Sequence, residues 1–75
     1  MNIIEAARLM MDGAEVSRPP MMAEGDSIAW GGPNNFAGWE SGIIIVDDEG
    51  NAVDYWCPST QDLMADDWEV VDDRA

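Results

Sequence analysis

Three stretches of this chain carry residues able to do chemistry. The first is Arg18, which closes the short alternating run from Ala14 and is followed by Pro19-Pro20. It is one of three arginines in a sequence without lysine, set against sixteen acids. Such a residue either forms an ion pair with one of those acids or binds an external anion. The second stretch is Trp30 to Trp39, where Trp30, Phe36 and Trp39 flank or interrupt Gly31-Gly32-Pro33-Asn34-Asn35. Aromatics on a loop so rich in turn formers plug a core, bury in a subunit interface, or stack on a planar ligand; the first two are the commoner uses. The third is Ser59-Thr60-Gln61-Asp62, held between Trp56 and Trp68. It reads as a plain capped turn or as the rim of a small-molecule pocket.

What is missing narrows the chemistry further. There is no histidine and one cysteine, Cys57, so neither a Ser–His nor a Cys–His couple can form, and an ordinary zinc set is not on offer. Asp66 and Asp67 are sequence neighbours whose side chains point apart, a poor general acid–base pair. The glycines are not followed by Gly-Lys-Ser/Thr, so they are not a phosphate-binding loop. Asp47-Asp48-Glu49-Gly50 lacks the alternating acids of a calcium loop. A non-catalytic protein without metal or cofactor is the expectation.

The elements that must position these residues can be traced in order. Asn2 is a good N-cap with Glu5 three residues later, opening an amphipathic helix to Asp12. Ile3, Ala7 and Met10 share its inner face, with Ile4 and Met11 beside them, and Gly13 is placed to end it. Arg8 can pair with Glu5 or Asp12 along the outer face. Ala14 to Arg18 alternates as a short strand that Pro19-Pro20 stops. From Met21 to Ser41 the chain reads mostly as loop, with a brief strand at Ser27-Ile28-Ala29-Trp30. Gly42-Ile43-Ile44-Ile45-Val46 is a clear strand, apolar on both faces. A helix on one side and a partner subunit on the other would bury it. Gly50-Asn51 turns the chain into Ala52 to Trp56, making a hairpin. Ser59, with Asp62, caps a helical turn before a last strand in which Trp68 and Val70 alternate, and residues 72–75 fray. The sum is one domain over residues 1–75, of class α+β: an N-terminal helix packed on an antiparallel sheet of four to five strands, with a short helical turn before the last.

Composition bounds the rest. A net charge of −13 repels nucleic acid and anionic membranes, so neither is an expected partner. An acidic surface can instead imitate nucleic acid or simply keep a protein in solution. The 47% apolar content argues against disorder. No run is long enough to span a bilayer or act as a signal segment, which predicts a soluble, cytoplasmic protein. Seventy-five residues bury a marginal core, and small domains often gain burial by oligomerising.

The run Trp56-x-x-Ser59-x-x-Asp62-Leu63-Met64-Ala65-Asp66-Asp67-Trp68 resembles a family of small phage and prophage proteins, the Thoeris anti-defence family of the second type. The opening Gly13-x-x-Val16-x-Arg18 is similar to the start of that family, and Asp48-Glu49-Gly50 stands where its hairpin turn lies. Met21 takes a place that the family usually gives to tryptophan.

The resemblance implies a sponge: a protein that binds a cyclic nucleotide immune signal, of the cyclised ADP-ribose type and in some relatives cyclic oligonucleotides, without degrading it. It implies a homotetramer, a dimer of dimers, with pockets at subunit junctions, acting in the host cytoplasm. The ligand-binding residues expected on this basis are Arg18, Trp39, Trp56, Ser59, Thr60 and Asp62. Indole faces would take the base, at ~1–3 kcal/mol for each stacked base. Arg18, the glycine-loop N–H groups and those at Ser59–Gln61 would take the pyrophosphate, while Asp62, Thr60 and Asn34 would meet ribose hydroxyls. The alternative is an acidic, nucleic-acid-mimicking inhibitor of a host defence enzyme.

Overall fold

Asn2 opens the first helix as its side chain allows. Its Oδ1 accepts from the Glu5 N–H at 2.9 Å, and Glu5 Oε1 accepts from the Asn2 N–H at 3.2 Å. This reciprocal cap starts α1 (Ile3–Met11), and Gly13, at φ 106°, turns the chain out of it. The computed structural model of the chain describes residues 1–31, 36, 38–39 and 42–73. In order after α1 come β1 (Ala14–Ser17), α2 (Pro19–Met22), β2 (Ser27–Gly31), β3 (Gly42–Val46), β4 (Ala52–Tyr55), α3 (Thr60–Met64) and β5 (Glu69–Asp73). The strands form one antiparallel sheet in the order β4-β3-β2-β1-β5. The α+β class and the helical turn before the last strand are as the sequence predicts.

One face of the sheet carries α1. Ala6 and Met10 of the helix bury against Val16, Ile28 and Trp68, with Ile43, Ile45, Trp56 and Met21 packed around them. Each fully buried aliphatic side chain of this kind contributes about 1.5–3 kcal/mol. Ile4 and Met11 lie outside this contact and are largely exposed. Among the described residues the ion pairs belong to Arg18, so Arg8 does not pair with Glu5 or Asp12.

The second face of β2 and β3 holds Ala29, Ile44 and Val46, covered by Phe36, Trp39 and Ala52. The protomer therefore supplies its own cover for the two-faced strand, and Ile44 is buried without a partner subunit. Trp39 meets Tyr55 edge-on, with centroids 5.1 Å apart.

Two elements differ from the sequence-based expectation. Pro19-Pro20 stops β1, yet it also opens α2, because proline at the first helical positions has a suitable φ and no N–H to leave unsatisfied. The tail predicted to fray is paired through Asp73: the β5 backbone at Asp72 and Asp73 lies opposite Glu15 and Ala14 of β1, with a bulge that leaves Val71 over. Residues 74–75, the rest of that predicted tail, lie outside the described residues, as does Asn34.

Being second from the edge, β1 buries all four of its residues, including Glu15 and Ser17. Ser27 Oγ donates to Glu15 Oε1 at 3.0 Å, and Ser17 Oγ donates to the Asp26 carbonyl at 2.7 Å. No helix of the described residues is long and apolar enough to cross a membrane.

Candidate functional site

The β1–β5 register decides what Arg18 meets. Ser17, the last residue of β1, lies opposite Glu69, the first of β5. Arg18 is therefore beside the segment that enters β5, which carries Asp67 and Trp68. Its Nε donates to Asp67 Oδ1 at 2.7 Å, and its Nη1 donates to Asp62 Oδ1 at 2.8 Å. The guanidinium carbon stands 5.8 Å from the Trp68 ring centroid, within cation–π range. Of the two readings of Arg18 left open by the sequence, the structure shows the ion pair. Arg18 is an ion-pair residue with two acids, and it is a planar cation held against an indole.

The surroundings fix this geometry. Trp68 is 1% exposed, and its Nε1 donates to the Asp62 carbonyl at 3.2 Å. Trp56, half-buried, meets Trp68 edge-on at 5.6 Å and 89°. Asp62 is held from three sides. Its Oδ2 accepts from the Ser59 N–H at 3.1 Å, its own N–H donates to Ser59 Oγ at 3.2 Å, and Oδ1 takes Arg18. Ser59 and Asp62 thus form the reciprocal cap of α3, as the sequence predicts, and that cap doubles as a support for Arg18.

Charge states follow from these partners. Burial acts to raise the Asp62 carboxyl, but the Ser59 and Arg18 hydrogen bonds outweigh it and hold the group below the usual aspartate value. Arg18 is the main cause of the same downward displacement at Asp67. The Asp67 hydrogen bond, with Asp62 behind it, raises Arg18 above its ordinary value.

Of the six residues named from the sequence, four are gathered here: Arg18 and Asp62 in direct contact, Ser59 through the cap, and Trp56 through Trp68. Thr60 opens α3 and is exposed. Trp39 is elsewhere, packed on the face of the sheet opposite α1. With Phe36, Gly50, Asn51 and Ala52 it lines an open cleft of about 300 Å³. That is the lower end of small-ligand pockets, enough for a base but not for a dinucleotide. Phe36 has φ 57°, the left-handed region that a residue with a side chain seldom adopts.

Asp67 and Trp68 were not among the expected site residues. The signal available was the scarcity of cations, which leaves any half-buried arginine facing acids in this chain. Which acid it meets depends on the β1–β5 pairing, which no local pattern encodes.

A larger cleft, about 480 Å³, opens between the β1–β2 end of the sheet and the β3–β4 turn. Five carboxylates line it: Glu15, Asp26, Asp47, Asp48 and Glu49. A phosphate-bearing ligand would be repelled there, whatever the size of the cleft. Among the described residues no group of three His, Cys, Asp or Glu side chains is placed to hold a metal ion.

Helix, sheet and the arginine-centred closure of the last two elements define a small α+β domain with one guanidinium at its focus. The family model of the Tad2-like domain, described as Thoeris anti-defense 2-like, matches residues 1–71 of the 75. The chain belongs to this anti-defence family. Compared with curated proteins, it matches none.

Proposed function

We propose that the protein sequesters a cyclic nucleotide immune signal, of the cyclised ADP-ribose type or a cyclic oligonucleotide, and holds it uncut as a homotetramer built as a dimer of dimers. The observation that carries this is the family match along nearly the whole chain. Geometry lends support. Arg18 offers a cation oriented by an indole, and the Trp39 cleft offers an aromatic wall with room for a base. The two lie on opposite faces of the sheet, so a single ligand that touches both must bridge two protomers. Exposed apolar side chains able to bring protomers together include Ile4, Met11, Leu63 and Met64. The residues of the Arg18 cluster offer no nucleophile–base couple, in keeping with binding without cleavage.

Sequestration calls for nanomolar affinity, roughly −12 kcal/mol. Calorimetric titration with cyclised ADP-ribose should give such a Kd for the native protein. Arg18→Ala should weaken binding by at least about tenfold while Arg8→Ala leaves it unchanged, since one charge-assisted contact is worth ~1.5–3 kcal/mol. Equal affinities for the two variants would remove Arg18 from the site.

The acidic cleft favours a second reading, an inhibitor that presents carboxylates to a basic defence protein. Salt separates the two. An anionic ligand meets a repulsive field from a −13 protomer, so its association should quicken as salt screens that field. Binding to a basic partner would collapse under the same change.

A further inference from the structure

We infer that Asp67 is a built-in occupant of the anion position on Arg18, a carboxylate that a ligand phosphate must displace. This rests on the ligand-binding reading above and says how that site is kept when empty.

The two acids on Arg18 are not equivalent. Asp62 is tied into the α3 cap through Ser59, and its carbonyl holds the Trp68 indole. It cannot leave without undoing the helix start. Asp67 lies in the irregular stretch between α3 and β5, and its carboxylate meets Arg18 at Nε. Its side chain is 44% exposed, against 22% for Asp62 and 15% for Arg18. The Nε edge is therefore the one that solvent, or a ligand, can reach through Asp67. A carboxylate oxygen and a phosphate oxygen accept from a guanidinium in the same way, and the phosphate adds acceptors. With Trp68 beneath the guanidinium and Asp62 on Nη1, the exchange needs only a rotation of Asp67. The cation keeps its orientation, which lowers the ordering cost of binding. Asp62 already balances the single charge of Arg18, so Asp67 makes the empty site net negative and sets a threshold that weak monoanions do not pass.

The test uses the full chain with inorganic pyrophosphate as probe, read by calorimetry and by the Arg18 Nε–H resonance. Asp67→Asn removes the competing charge. Asp66→Asn removes an identical charge one residue away, from an exposed side chain, and controls for the general field. We expect Asp67→Asn to bind pyrophosphate about tenfold more tightly than the native protein or Asp66→Asn, the size of effect that removing a like charge at contact produces. The Arg18 resonance should move in step, and adding Arg18→Ala to Asp67→Asn should abolish the gain. Equal affinities for Asp67→Asn and Asp66→Asn would overturn the inference. A panel of cyclic nucleotides tested in parallel on the native protein keeps the two proposals apart. If no nucleotide binds but the pyrophosphate gain is seen, the sponge reading fails and the role of Asp67 stands. Nucleotide binding without the gain has the opposite meaning.

Discussion

Arg18 concentrates three interactions on one guanidinium, and acid pH should reveal them. Asp62 and Asp67 both titrate below their ordinary value in the folded protein. Stability from such groups is fully present above the unfolded-state pKa, about 3.9, and is lost as the pH falls through the lower folded values. Arg18 itself, raised, keeps its contribution throughout the accessible range. Acidification also relieves the self-repulsion of a −13 chain, so the informative quantity is a difference between variants. Urea unfolding from pH 6 downward should show the stability gap between the native protein and Arg18→Ala closing below about pH 4. A gap that stays constant would mean that the ion pairs do not hold in solution. Trp68→Phe at the same site removes the Nε1 hydrogen bond to Asp62 and part of the buried ring, which should cost about 1–3 kcal/mol.

Caps and turns govern the elements, and they were also the most legible part of the sequence. Asn2 with Glu5, and Ser59 with Asp62, are local signals, and both caps form as read. Removing either cap by Asn2→Ala or Ser59→Ala should cost about 1 kcal/mol in urea unfolding. Gly25 and Gly50 both have positive φ, at 79° and 84°, but differ in their surroundings. A Cβ on Gly25 would sit 2.8 Å from the Asp48 Cβ, whereas one on Gly50 meets open space. Gly50→Ala should cost about 1 kcal/mol from backbone strain alone, and Gly25→Ala measurably more. The single turn α2 was not legible because Pro19-Pro20 signals a strand stop and a helix start alike. The β1–β5 pairing was not legible either. It joins residues 14–17 to 69–73, and such long-range pairing follows from burying Val16 and Trp68 beneath α1, not from any local pattern.

For the molecule as a whole, the structure brings Arg18 and Asp62, both named from the sequence, into direct contact, but the sequence had no means to separate Trp56 from Trp39. Tryptophans on loops carry no face label, and only the strand alternation of β3 shows that Ile43 and Ile45 look toward α1 while Ile44 looks toward Trp39. Met21, where relatives were expected to have tryptophan, packs against the α1-side core, so that position serves packing in this chain. Separation of the cation and the aromatic cleft onto two faces is what makes assembly necessary to the proposed function. Sedimentation equilibrium should accordingly report tetramers at micromolar protein, and a persistent monomer would leave the two faces unable to share a ligand. The most direct measurement is retention. The native protein is incubated with a panel of cyclic nucleotide signals and passed through a filter that holds it back, and the retained fraction is then heat-denatured and analysed. We expect one signal to vanish from the filtrate and to reappear chemically intact after heating. A filtrate that keeps every signal, or a retained fraction that yields only cleaved products, would contradict sequestration.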